Sequence, residues 1–233
     1  KFILDNQMSL AEEDNGLLYR TALLTNVDGP TFFGLLHTGG ALRLNIKDNL
    51  EYLNKIRPRA ILPVRSDVEQ FANKTFAIEN AYLTYTHSFT PNLHMQLTSG
   101  LLEEMYGGIG GEILYRPFGK RYAFGAELWN ALKRDPDSFL AADYTGDGLL
   151  TGHLNGWYDF AERDLTLKAS VGRYLADDFG GTLSLTKGFK NGAKLEGFVT
   201  VTNKADFDLF GGLTHAHHGI RLSLPLGSIK HIP

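Results

Sequence analysis

From Ala77 onward the chain alternates apolar and polar residues in short runs, and this two-residue period restricts it to half-exposed β-strands. In residues 92–101, Leu93, Met95, Leu97 and Leu101 share one side, while His94, Gln96 and Thr98 share the other. Ile113 and Tyr115 oppose Glu112 and Arg116, and Phe124, Ala126 and Leu128 oppose Gly125 and Glu127. Leu154, Tyr158 and Phe160 oppose His153, Asn155 and Asp159. Further on, Leu165, Leu167, Ala169 and Val171 oppose Thr166, Lys168 and Ser170, and Leu183 and Leu185 oppose Thr182, Ser184 and Thr186. Near the end, Ile220, Leu222, Leu224 and Leu226 oppose Arg221 and Ser223. Each run therefore has one apolar and one polar face.

Turn chemistry separates the runs. Phe118-Gly119-Lys120, DYTGDG (143–148), AERD (161–164), DDFGG (177–181) and Lys190-Asn191-Gly192 all read as hairpin connections. Shorter and longer connections alternate, as in an up-and-down antiparallel sheet. Upstream, residues 17–24 and 41–46 read as strands, residues 48–54 as a short helix capped by Asp48, and RPRAILPVRSD between Pro58 and Pro63 as a loop. The expectation is roughly ten to twelve strands in one domain over residues 1–233, less regular over 1–75 and a regular meander over 76–233.

Composition limits the environment. No segment approaches the about 18 consecutive apolar residues of a transmembrane helix, whereas a transmembrane barrel hides its apolar surface in alternate positions. A net charge of −3 argues against a broad nucleic-acid footprint. Without cysteine there are no disulfides, thiolate chemistry or cysteine zinc sites within these residues. KFILDNQMSL lacks the basic and apolar regions of an intact secretory signal, so a signal has been removed or the chain is part of something longer.

The same parity serves a sandwich, which buries its apolar face, and a membrane barrel, which turns that face to lipid. Glycines within strands and aromatics near strand ends (Tyr115, Trp129, Trp157, Tyr158, Tyr174) favour an all-β, antiparallel up-and-down transmembrane β-barrel. A soluble β-sandwich that binds or modifies carbohydrate is the alternative.

Four stretches carry a resemblance: LLEEMYGGIGGEILYRPF (101–118), TGHLNGWYDF (151–160), SVGRYLADDFGGTLSL (170–185) and FKNGAKLEGFVTVTN (189–203). With LRLNIKDNLEYL (42–53) and PVRSDV (63–68) upstream, the chain resembles the C-terminal barrel region of YjbH/GfcD-type exopolysaccharide biosynthesis proteins. The resemblance implies a non-enzymatic component of exopolysaccharide or capsule export in the bacterial outer membrane. The expected partners are outer-membrane lipid, polysaccharide, and other export subunits or a second barrel, with no cofactor and no nucleic acid. THAHHG before Ile220 departs from the family's Phe-Asp-Lys-Gly-like entry to that strand.

His94, Gln96, Glu112, Arg116, Glu127, His153, Asn155 and Lys168 are the candidates to face a lumen and its polysaccharide. Other clusters read as architecture. Glu103 and Glu104 would point to opposite sides of a regular strand, unlike a glycosidase pair that faces one bond, so they read as lumen or turn residues with Arg116 as charge partner. Gly107, Gly108, Gly110 and Gly111 lack the GK[ST] of a phosphate loop and read as a bend between strands. His215, His217 and His218 read as a polar loop rather than a metal site, and Asp143 and Asp147 as turn residues rather than a calcium loop. Arg116, Lys120 and Arg121 form a basic rim, open to anionic lipid or polysaccharide or simply solvated.

Overall fold

The computed structural model describes residues 2–10, 17–49, 64, 70, 71, 74–207 and 213–223. They form β1 (Phe2–Leu10), β2 (Leu17–Thr31), β3 (Leu36–Asp48), β4 (Phe76–Thr90), β5 (Leu93–Leu101) and β6 (Tyr106–Tyr115). The second half holds β7 (Tyr122–Arg134), β8 (Tyr144–Phe160), β9 (Leu165–Arg173), β10 (Phe179–Gly188), β11 (Lys194–Phe207) and β12 (Leu213–Ser223). All twelve pair antiparallel in chain order in a single sheet, with no bond between β1 and β12 among the described residues. The expected helix over 48–54 lies outside the described residues beyond Asn49, and the RPRAILPVRSD loop lies outside them apart from Val64.

Three local readings need correction. The glycines of residues 107–111 do not make a bend: they lie inside β6, and the reversal occurs at 102–105, where Tyr106 O accepts the Leu102 and Glu103 amides at 3.1 and 2.9 Å. DYTGDG is not a hairpin. The β7–β8 turn occupies residues 135–143, because Pro136 has no amide to donate to a ladder and Asp135 Oδ1 takes the Asp137 amide at 2.9 Å. Gly146, at φ 70°, instead lies where the β7–β8 register shifts between Ala131 and Lys133. The histidines belong to β12 and not to a loop, and alternate pleating parts them: His217 lies opposite Thr200 on the polar side, and His218 opposite Val199 on the apolar side.

The polarity of the sheet is inverted relative to a soluble domain. Adjacent Leu42 and Arg43 are 54% and 1% exposed. The same contrast recurs along the strands: Leu97, Ile109, Phe124, Leu154, Val171 and Leu183 are exposed, whereas Thr84, Thr98, Thr151, Ser184 and Thr202 are buried. The described strands form one sheet, not the two facing sheets of a sandwich. The parity expected for β5 holds up to Gly100, beyond which Leu101 is buried.

The polar side is concave. Arg20 on β2 bonds Glu104 in the β5–β6 turn, although a flat sheet would hold them roughly 14 Å apart, three strand spacings. Gly100 and Gly108 face each other across β5 and β6, both at φ 135°. A Cβ there would strike Ala81 O or Asn130 O, so only glycine fits. Elsewhere glycines make room for rings on the polar side: Tyr82 covers Gly39, Trp129 covers Gly110, Trp157 covers Gly125 and Phe198 covers Gly219.

Candidate functional site: the concave polar face

At one end of the face, buried charges converge from separate strands. Glu104 Oε1 accepts from Arg20 Nη1 at 2.6 Å and from Arg43 Nη2 at 2.7 Å, and Glu79 Oε2 lies 3.1 Å from Arg43 Nε. Arg134, fully buried, donates to Ile78 O and Glu79 O on β4, Glu103 O, and Ala141 O. It thereby ties β7 to β4 across the end of the β5–β6 hairpin. Arg43 Nη2 also donates to Phe71 O at 2.9 Å, and Val64 O accepts from Tyr106 Oη at 3.1 Å and Lys133 Nζ at 3.3 Å. Phe71, Met105 and Ala141 pack beneath these bonds. The connection between β3 and β4 is thus pinned against the polar side at Val64 and Phe71.

Glu104 therefore has Arg20 and Arg43 as partners, not Arg116. Arg116 lies past the end of β6, exposed, with its amide bonded to Asn92 O at 2.8 Å. Of the basic rim, Arg121 pairs with Glu162 at 3.2 Å on the surface.

The other sequence candidates lie on the polar side. Gln96, Glu112, Glu127 and His153 stand directly opposite one another across β5, β6, β7 and β8. Two like charges opposite each other are unfavourable; here Glu127 is engaged by His153 Nδ1 at 2.9 Å and by Trp129 Nε1 at 3.4 Å. His94 Nδ1 lies 2.8 Å from Ser88 Oγ, and Gln96 Nε2 donates to Thr98 Oγ1 at 3.3 Å. Asn155 lies opposite Gly125 and Ser170, and Lys168 opposite Trp157 and Ser184.

Lys168 and His153 help line a trough of about 270 Å³ whose walls come from every strand between β7 and β12. Sequence parity missed much of it. Tyr174, Phe198, Glu196 and Arg221 join the wall, and a hydroxyl relay runs from Tyr174 through Thr182 to Thr200 in two steps of 2.8 Å. The signal was present in the alternation, since Thr182 and Ser184 oppose Leu183 and Leu185. The convergence of distant strands was not. Among the described residues no group of acidic or histidine side chains is arranged to hold a metal ion.

Residues 4–233 match the family of exopolysaccharide biosynthesis protein YbjH. The chain belongs to the YjbH family. It is 32% identical over 226 residues to the "Uncharacterized lipoprotein YjbH" of Escherichia coli strain K12. That alignment covers 94% of this chain and 32% of the relative, so the chain spans about a third of the YjbH protein it matches. No solved structure matches significantly. The resemblance in sequence to YjbH-type proteins is thus established as membership. Among the described residues no helix is long and apolar enough to cross a membrane, which leaves crossing by strands open.

Proposed function

We propose that this chain forms the wall of a transmembrane β-barrel in the bacterial outer membrane. Its convex apolar side meets lipid, and its concave polar side lines a non-enzymatic conduit for exopolysaccharide or capsule export. The inverted polarity carries the reading: exposed Leu42, Phe124 and Leu154 suit hydrocarbon, while Arg43, Thr98 and Thr151 on the opposite side stay paired or wet. Connection length adds support. One end of the sheet carries only short links, at 32–35, 91–92, 116–121, 161–164 and 189–193, and the other carries the two longest, 49–75 and 135–143, beside short ones at 102–105 and 174–178, as in barrels whose long loops lie on one side of the membrane. Exopolysaccharide is the polymer class of the family, and the Escherichia coli relative is named a lipoprotein, a membrane-attached class. The free edges of β1 and β12 meet each other or further strands, since open edges do not persist in hydrocarbon.

The chain contains no cysteine, so single cysteines report their surroundings cleanly. Ile113→Cys, Leu154→Cys and Leu183→Cys, in outer-membrane fractions, react with a lipid-soluble maleimide. Gln96→Cys, Asn155→Cys and Thr200→Cys react with a small water-soluble one. Equal reaction of both sets with the water-soluble reagent, or recovery of the folded chain without detergent, rejects the membrane wall.

A further inference from the structure

Deepening the conduit reading, on which it rests, we propose that the trough between β8 and β11 is a subsite for a carboxylate-bearing sugar residue. The Lys168 ammonium and the hydroxyls of Ser170 and Ser184 hold it.

The charges of the trough are unevenly satisfied. Glu127 is engaged by His153 at 2.9 Å and Glu196 by Arg221 at 3.0 Å. Lys168 has no carboxylate partner among the described residues; its ammonium stands 5.5 Å from the Trp157 ring centre. An ammonium in a recess with its neighbouring acids already occupied draws an anion from outside. Glu127 and Glu196 oppose a doubly charged anion in the same space, whereas a single carboxylate on a sugar adds only one negative charge.

The shape points the same way. Trp157, Lys168, Ser184 and Phe198 lie in one cross-strand row. Trp157 lies over Gly125 at one end of that row and Phe198 over Gly219 at the other, so both rings lean outward. The space between them is floored by the small side chains of Ser170 and Ser184 and walled by Phe198. Tyr174, Thr182 and Thr200 spend their hydroxyls on one another. At about 270 Å³ the trough is below the about 300–1,000 Å³ typical of pockets that enclose a whole small-molecule ligand, a scale suited to one unit of a polymer.

The test uses the full chain in detergent micelles, titrated with an oligogalacturonate while tryptophan emission is followed. Both tryptophans, Trp129 and Trp157, border the trough through Glu127 and Lys168. Oligogalacturonate changes the emission saturably, a neutral oligosaccharide of equal length binds about tenfold or more weakly, and inorganic phosphate does not reproduce the change. Lys168→Gln weakens oligogalacturonate binding about tenfold, Lys168→Arg keeps it within a few-fold, and Lys187→Gln leaves it unchanged. Equal binding of the neutral oligosaccharide, an equal response to phosphate, or undiminished binding by a folded Lys168→Gln variant overturns the proposal. Because the titration needs no bilayer, its failure leaves the lipid-facing assignment standing, and because the cysteine labelling needs no sugar, its failure is told apart from that of the subsite.

Discussion

Arg20 Nη1 on β2 lies 2.6 Å from Glu104 Oε1 in the β5–β6 turn, joining segments 84 residues apart on the concave side of the sheet. Glu104 also holds Arg43, whose Nε lies 3.1 Å from Glu79 Oε2, so two carboxylates and two guanidinium groups share one buried cluster. Removing one member of such a group leaves uncompensated charge away from water, at a cost of about 3–5 kcal/mol. Glu104→Gln is expected to lower the unfolding free energy of the chain refolded in micelles by that much, read from the urea midpoint and slope. A change under about 1 kcal/mol would show that the cluster is solvated and dispensable.

Leu154 and Asn155 are neighbours on opposite faces of β8, which makes them a matched pair for the membrane reading. Leu154→Arg places a cation on the lipid side and is expected to destabilise the chain refolded in bilayers by about 2–4 kcal/mol, depending on depth. Asn155→Arg points into the polar side and costs far less. Heat-modifiable migration after refolding into vesicles measures both, and equal effects contradict the assignment of faces.

Gly110 lies directly opposite Trp129, whose indole occupies the space a Cβ would need. Gly110→Val displaces the ring and disturbs its bond to Glu127, with an expected loss of about 1–3 kcal/mol and a shifted tryptophan emission maximum. Gly197 has open space around its Cβ position, so Gly197→Ala should stay within about 0.5 kcal/mol. Similar losses for the two variants would show that ring-over-glycine packing carries no weight.

In the turn between β9 and β10, Arg173 Nε donates to Asp177 Oδ1 at 2.7 Å and holds that carboxyl below its ordinary pKa, with a smaller contribution from Lys204. A depressed folded value means that the pairing contributes above the unfolded pKa and is lost as pH falls through the folded one. Carbon-detected NMR titration of Asp177 should show the low value, and Arg173→Gln should return it toward the ordinary range. An unchanged titration in that variant removes Arg173 as the cause.

How much of this was legible in the sequence depends on whether the signal was local. The faces of β7 to β10 follow from alternation alone, because Phe124 against Glu127 or Leu183 against Ser184 needs no partner to be read. The role of Glu104 was not legible. Its partners come from strands far away in the chain, and only the curvature of the sheet brings them within reach. Arg20 and Arg43 left a clue, as charges in alternate positions of otherwise apolar runs, which are tolerated beside lipid only when they turn inward and pair. The histidines of β12 read as a loop because THAHHG has turn-like polarity, whereas His217 and His218 alternate between the faces against Thr200 and Val199.

Strict pairing of each strand with its chain neighbour has a kinetic consequence. Apart from β3–β4, whose link spans 49–75, each ladder closes through a short connection at small loop entropy, so the meander can grow largely one hairpin at a time. The Arg20–Glu104 bond has no such local route and can form only after the intervening strands have curled. It acts as a latch that reports completion: in Glu104→Gln the early growth of β-structure should keep its rate, and the defect should appear as faster unfolding.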